Sequence, residues 1–254
     1  MDISAIILAA GQGKRLQKIS QGKPKFLVQV KMKPLLAYPI KVLEKVGVNN
    51  IVVVVPGGWV NEAIQILQDI SKYNVMVIEN SRFWRENGYS LLLALRQLHG
   101  KSDIIVISMV DHLYTTRIVS RILSTIETSK DALFVVGGDS RALFIDHNEA
   151  TKILADDNIV IDIGKKLANY NYIDIGVMAI RPQVLGYIEE LASKEEILSM
   201  STIIRALGAK KKVRIADVTG CYWTEIDTED DYYELFGGKR SLVLKKVLEE
   251  IGWD

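Results

Sequence analysis

The chain has one cysteine, three histidines and almost no net charge, and each scarcity removes a class of protein. With Cys221 alone there is no disulfide framework and no thiolate metal cage, which agrees with a reducing cytoplasm. The expected role of that thiol is a small buried hydrophobe. His99, His112 and His147 have no metal-like spacing with other ligands, which argues against zinc. Lysine and arginine number 32 against 31 acids, so no general attraction to nucleic acid or to an acidic membrane is expected and any anion binding must be local. No apolar run approaches the roughly 18 residues of a membrane helix. No basic-then-apolar leader precedes the first strand, so a cytoplasmic, non-secreted protein is expected. Internal repeats and low-complexity segments are also missing. What remains is 254 residues, ample for a buried core, read as one domain with a small lobe.

Against this background one stretch stands out: Ile3-Ser4-Ala5-Ile6-Ile7-Leu8-Ala9-Ala10-Gly11-Gln12-Gly13-Lys14-Arg15-Leu16, followed by Pro24-Lys25. Its apolar first half reads as a buried strand that stops abruptly at small residues. The second half reads as a loop for anions. Gly11 and Gly13 let the backbone turn and bring bare N–H groups to a ligand, while Lys14, Arg15 and Lys25 set positive charge beside them. That combination fits a nucleoside triphosphate. It is neither the dinucleotide fingerprint, which needs a third glycine, nor a Walker loop, which closes on Gly-Lys-Ser/Thr. Ala-Ala-Gly after a strand also makes an ordinary tight turn, so the local pattern leaves both uses open.

Downstream, β-branched runs alternate with helical periodicity. Strands are expected at 26–30, 51–55, 75–78, 103–112, 132–136 and 172–180, and helices at 35–47, 61–71, from 91 onward, 115–129, 182–192, 202–207 and 239–251. This is the grammar of a Rossmann-like α/β fold, a mostly parallel central sheet flanked by helices. Residues 137–166 are more polar and read as hairpin-like strands, part of a small acceptor-binding lobe at about 137–180. Residues 213–218 and 221–226 bracket Thr219-Gly220 as a hairpin. On this reading 1–236 form one domain and 237–254 a C-terminal amphipathic helix. Ser90 is expected at the N-cap or first turn of the helix from Leu91, and Thr228 at the cap of the helix after Asp227. In open parallel sheets ligands sit beyond the C-terminal strand ends, which puts Asp111 on the rim of the glycine loop. His112 beside it is read as a rim residue, with a supporting partner of Asp111 as the other use.

Leu8-Ala9-Ala10-Gly11-x-Gly13-x-Arg15-Leu16 with Pro24-Lys25 resembles the LAAGxGxRL…PK signature of nucleotidyltransferases that activate sugar phosphates and related alcohol phosphates. Trp223-Thr224-Glu225-Ile226-Asp227-Thr228 resembles their C-terminal W-x-x-I-D-T-x-x-D segment, and Asn87-Gly88-Tyr89-Ser90 is similar to the N-x-Y-S run of cytidylyltransferases acting on phosphocholine and inositol phosphate. With Asp111-His112, Ala150-Thr151-Lys152, Ile163-Gly164-Lys165 and Ile173-Asp174-x-Gly176, residues 3 to about 236 look like the CTP:inositol-1-phosphate cytidylyltransferase group. Lys14, Ile175 and Met109-Val110 depart from the group's pattern, which commonly has small residues, threonine and glycine there. The resemblance implies a glycosyltransferase-A-like nucleotidyltransferase fold and transfer of a cytidylyl group from CTP to inositol 1-phosphate, giving CDP-inositol and pyrophosphate with Mg2+ as cofactor. In that group the domain is often fused to a membrane-embedded synthase. The expectation here is a stand-alone soluble enzyme that hands CDP-inositol to such a synthase, for di-inositol phosphate or an inositol lipid.

The attacking phosphate oxygen in such a reaction is already charged, so the site must supply neutralisation and alignment rather than a base. By the resemblance, Arg15 and Lys25 hold the triphosphate, with Leu8, Ala9, Ala10, Gly11, Gly13 and Lys14 around it, and Asp111 and Asp227 ligate the metal. Asn87 and Ser90 read the cytosine edge. Asp174 binds acceptor hydroxyls, and Lys165, with Lys152 as a second candidate, holds the acceptor phosphate. Blander uses stay open: helix caps for the two aspartates, a turn for Asn87-Gly88, a solvated surface for the lysines. Two other readings stand beside this one. Activation of a sugar 1-phosphate or of phosphocholine is the first, the latter calling for an aromatic cage to which Tyr89, Tyr114, Tyr170 and Tyr172 are the candidates. A non-catalytic nucleotide-sensing subunit is the second, and the joint presence of Asp111, Asp227, Arg15 and Lys25 argues against it.

Overall fold

The computed structural model describes residues 1–253. In chain order the elements are β1 (Ile3–Leu8), α1 (Gln17–Ser20), β2 (Gln29–Val30), β3 (Lys33–Pro34), α2 (Ala37–Lys45), β4 (Asn50–Pro56), α3 (Val60–Ile70), β5 (Val75–Asn80), α4 (Glu86–Leu98), β6 (Ile104–Met109), β7 (His112–Tyr114) and α5 (Thr116–Thr128). They continue as β8 (Phe134–Asp139), β9 (Lys152–Asp156), β10 (Ile159–Gly164), β11 (Tyr172–Ile180), α6 (Leu185–Lys194), α7 (Met200–Gly208), β12 (Val213–Asp217), β13 (Trp223–Glu225), α8 (Glu229–Gly237) and α9 (Ser241–Ile251).

Nine strands form one sheet in the order β5-β4-β1-β6-β11-β8-β12-β10-β9. The first four are parallel, as are β8 and β12. Strand β11 lies antiparallel between β6 and β8, and β10 antiparallel between β12 and β9. Only these two reverse, so the sheet is mostly parallel in direction and mixed in pairing. Both faces are covered, which is why the central strands are apolar at successive positions. Ala5, Ile7, Ile51, Val53, Val55, Ile104 and Val106 face the layer of α2, α3, α5 and α9, while Ile6, Leu8, Val52, Val54, Ile105 and Ile107 face α4, α6 and α7. This period of two pins the strand register, because a slip of one residue would exchange the faces.

Several sequence expectations change in the folded chain. Phe26 lies in a short 3-10 turn, Lys25–Leu27, and only Gln29–Val30 is strand. The stretch 103–112 is broken: β6 ends at Met109 and the chain turns through Asp111 into β7. Helix α4 starts at Glu86, so Ser90 lies one turn inside it and caps nothing. Residues 213–226 are not a hairpin. Asp217 Oδ1 accepts the Thr219 N–H at 2.8 Å, Gly220 adopts a positive φ of 85°, and the chain leaves the large sheet so that β13 pairs with β7. The expected hairpin at 137–166 is β9 with β10; together with β11 it is hydrogen-bonded into the one large sheet. Helix α9 is also built in, with Val243, Leu244 and Val247 buried and Trp253 beyond it edge-on to Tyr38 at 5.4 Å.

Candidate active site

At the C-terminal end of β1 the chain enters the glycine loop with Ala9 N–H donating to the Val54 carbonyl at 2.8 Å. Gly13 sits in the left-handed region at φ 60°, where a Cβ would stand 3.1 Å from the Lys25 Cβ. A glycine here therefore lets the loop close onto Lys25. The loop and Lys25 wall a cavity of about 640 Å3 that Leu8, Ala10, Gly11, Lys14, Trp84 and Asn87 also line. Ser90 lines it too, and its hydroxyl accepts from the buried Asn80 amide at 2.8 Å. Asn87 Oδ1 accepts the Met200 N–H at 2.8 Å, so one acceptor site of that amide is already committed to the fold.

Lys25 is the electrostatic centre. Its side chain is 8% exposed, and its ammonium donates to Asp111 Oδ2 at 2.8 Å and to Asp227 Oδ1. Burial by itself would lower the lysine pKa, but the two carboxylates outweigh it and hold Lys25 above the usual lysine range. For Asp111 burial pushes the other way from Lys25 and His112, whose charges win and hold it well below the usual carboxylate range. Arg15 approaches from outside, donating to Asp227 Oδ2 at 2.6 Å and to Glu149 Oε2 at 2.9 Å. Asp227 thus pairs with two basic side chains and is not the cap. Thr228 performs the capping, with Asp231, in a reciprocal box at the start of α8.

His112 is not a rim residue. It is buried, its Nδ1 lies 2.6 Å from Asp111 Oδ1, its ring stacks parallel to Trp223, and its Nε2 faces Glu225 at 3.7 Å. Burial disfavours its charge, yet Asp111, Glu225 and Asp174 outweigh this and raise it to about 9. Burial conversely pushes Glu225 up to about 7. The structure thus favours the other use of His112, as a supporting partner of Asp111, whereas Glu225 has no role assigned from sequence although it stands two residues before Asp227. Glu149 carried no local signal at all.

A second cavity of about 330 Å3 adjoins the first, sharing Glu86, Asn87, Met109 and Asp111 with it. Asp174, Lys165, Thr151, Ser199, Ser201 and Glu225 are among its walls. Asp174 reaches it through a bulge in β11, where the pairing with β8 shifts between Asp174 and Met178 and Asp174 Oδ1 accepts the Gly176 N–H at 3.0 Å. Lys152 does not line either cavity; its ammonium donates to the Lys165 carbonyl at 3.1 Å and lies over Tyr170. Tyr89, Tyr114, Tyr170 and Tyr172 line neither cavity, so they form no aromatic cage, and Tyr114 is fully buried.

Burial pushes Asp174 up to about 6, against the pull of the Gly176 N–H and His112. A carboxyl whose folded pKa lies above its unfolded value contributes stability that is present at about pH 4 and lost as pH rises through about 6. Asp174→Asn never ionises and is expected to be more stable than the native chain by about 1–3 kcal/mol at neutral pH, with no advantage at about pH 4. Paired thermal melts at the two pH values read the difference, and equal melting shifts at both would refute it.

The MobA-like NTP transferase domain model matches residues 5–210, which hold the glycine loop, Lys25, Asp111 and both cavity walls around Asp174. The chain belongs to that family. Within MobA-like NTP transferase domains, its fold is that of the glycosyltransferase-A-like nucleotidyltransferases: the solved inositol-1-phosphate CTP transferase from T. maritima superposes with a TM-score of 0.85 at 29% identity, covering 98% of this chain and 97% of that one. Curated relatives named "Bifunctional IPC transferase and DIPP synthase" are 33% identical over 230 residues in Rubrobacter xylanophilus and 30% identical over 228 residues in Aquifex aeolicus. Each match takes in 90% of this chain and 50% of the relative, so the chain spans about half the length of those proteins. The family's chemistry draws on a divalent metal. Among the described residues no three His, Cys, Asp or Glu side chains form a metal cage, and no helix is long and apolar enough to cross a membrane. The two carboxylates that converge on Lys25 are hard oxygen donors where the cavities adjoin, Asp111 lining both and Asp227 the smaller. They fit a cation that takes one or two carboxylates and completes its shell with phosphate oxygens and water.

Proposed function

We propose that this chain transfers the cytidylyl group of CTP to inositol 1-phosphate, releasing pyrophosphate and forming CDP-inositol. The observation that carries the reading is the pair of adjoining cavities. One is walled by a glycine loop and a buried lysine, the other by a carboxylate, a lysine and hydroxyl side chains without an aromatic cage. A polyol phosphate suits the second, because Asp174 accepts bonds from neighbouring hydroxyls and Lys165 meets a phosphate.

On this reading the triphosphate lies along Gly11, Gly13 and Lys14, and Lys25 neutralises the oxygens at the α-phosphorus. Arg15 closes over the outer phosphates from its pairing with Asp227 and Glu149. The donor half of Asn87 addresses an acceptor atom of the cytosine edge, with Ser90 next to it. An acceptor phosphate oxygen attacks the α-phosphorus as the bond to pyrophosphate breaks in line, and no proton has to move. Mg2+, held by Asp111 and Asp227, would add charge neutralisation on the phosphate oxygens. We place the reaction in the cytoplasm and its product in the hands of a membrane synthase that consumes CDP-inositol.

Pyrophosphate release, measured with Mg2+ for CTP, UTP, GTP, ATP and dTTP crossed with inositol 1-phosphate, phosphocholine and glucose 1-phosphate, tests this directly. Release is expected with CTP and inositol 1-phosphate alone. Release with another pair would replace the substrates while keeping the chemistry, and bound nucleotide with no release anywhere would make the chain a sensor.

A further inference from the structure

The sequence assigns no task to the last helix, and the mechanism above uses nothing beyond Asp227. Arg240, immediately before α9, is nevertheless 3% exposed and spends its whole guanidinium on the segment that carries Asp227. Its Nη1 donates to the Glu225 carbonyl at 2.6 Å and to Thr224 Oγ1 at 2.8 Å, and its Nε donates to Glu234 Oε2 at 3.0 Å. Its Nη2 pairs with Asp231 Oδ1. The other oxygen of that carboxylate, Oδ2, accepts the backbone N–H groups of Asp227 at 2.9 Å and Thr228 at 2.8 Å. From the far side, the Ile226 N–H donates to the Asp111 carbonyl at 2.9 Å.

The geometry points to Arg240 as the positioning residue that sets the Asp227 carboxylate against Lys25, which makes α8 and α9 working parts of the transferase site. The guanidinium grips the turn at 225 directly and at 227 through Asp231, leaving the backbone between them no freedom to rotate. Only a planar, always-charged donor fork reaches a carbonyl, a hydroxyl and two carboxylates at once. If that grip loosens, the Asp227 side chain swings, and the angle at which it meets Lys25, and any cation beside the phosphates, is lost. The inference rests on the reading of Asp227 given above.

The test is a double-mutant cycle with Arg240→Gln and Asp231→Asn, each made alone and on Asp227→Asn, with folding followed by circular dichroism. Two outcomes are expected for the singles: kcat falls by about 10- to 100-fold with the KM for CTP little changed, and calorimetry finds metal-free CTP affinity intact but its gain on adding Mg2+ diminished. On Asp227→Asn neither change should lower kcat by more than about twofold, since the residue they act through is already gone. Additive losses with an impaired Asp227→Asn enzyme would overturn the proposal alone, as would an equal fall in metal-free CTP affinity. A fully active Asp227→Asn enzyme would instead overturn the reading of Asp227 and take the proposal with it. If Arg240→Gln fails to fold, Asp231→Asn carries the same comparison.

Discussion

Lys25→Ala is expected to lose about 10²- to 10³-fold in pyrophosphate release and about 3–5 kcal/mol of stability. Both losses come from one ammonium. In the folded chain it lies between Asp111 and Asp227 with little access to water, and removing it leaves two carboxylates facing each other with only His112 on Asp111 and Arg15 on Asp227 to offset their charge. Alanine also removes the group that neutralises the reacting phosphate. Because Lys25 is held above the usual lysine range, it is charged in both the folded and unfolded chain at any pH below about 10. Lys25 itself therefore adds no pH dependence to the deficit between pH 6 and pH 8. Urea melts of the two proteins, read beside the turnover assay, give both quantities. A stable, active Lys25→Ala enzyme would remove the electrostatic centre from this account.

Gly176→Ala is the second large effect, and it acts without touching a charge. Gly176 has a φ of 67° in the bulge of β11, and a Cβ there would stand 2.5 Å from His112 Nε2 and 2.6–2.7 Å from two ring carbons. The ring is held on two sides. Trp223 lies parallel to it, Asp111 holds Nδ1, and Trp223 is itself anchored through its Nε1–H to the buried Asp139 at 2.9 Å. Left-handed backbone at alanine costs about 1 kcal/mol and forced overpacking about 1–3 kcal/mol, so a loss of about 2–4 kcal/mol is expected. Since the displaced ring is the partner of Asp111, turnover should fall along with the melting temperature, and acceptor KM should rise because Asp174 is bonded to the Gly176 N–H. An alanine variant with native stability would show that the bulge is free to relax away from His112.

Much of the site was legible in local pattern. The glycine loop, Pro24-Lys25, Asp111 at the end of β6 and Asp227 before a Thr228-capped helix are short-range signals, because strand ends, tight turns and caps are each written within a few residues. The correct placement of β1, β4 and β11 has the same origin, in apolar runs long enough to be buried on both faces. The failures are equally physical. Thr219-Gly220 has the composition of a hairpin turn, but hairpin pairing needs a free neighbouring strand, and β12 already lies between β8 and β10. Ser90 has a cap's chemistry, yet tertiary packing of Gly88 against Leu198 and Ile203 draws the helix start back to Glu86. His112 read as a rim residue because nothing nearby in sequence announces that Gly176 and Trp223 will enclose it.

The sequence by itself determined the fold class, the glycine loop and the identity of the charged groups, since alternation, glycine spacing and strand-terminal acids are local properties of the chain. Only the tertiary structure decided which charges meet. Lys25 finds Asp111 and Asp227 across separations of 86 and 202 residues, and Arg15 finds Asp227 across 212. It alone turned Asn87 toward the Met200 N–H, chose Lys165 over Lys152 for the second cavity, and brought Arg240 beneath the segment of Asp227. Such pairings depend on how nine strands and their covering helices stack, and a contact between residues so far apart leaves no periodicity along the chain for a reader to find.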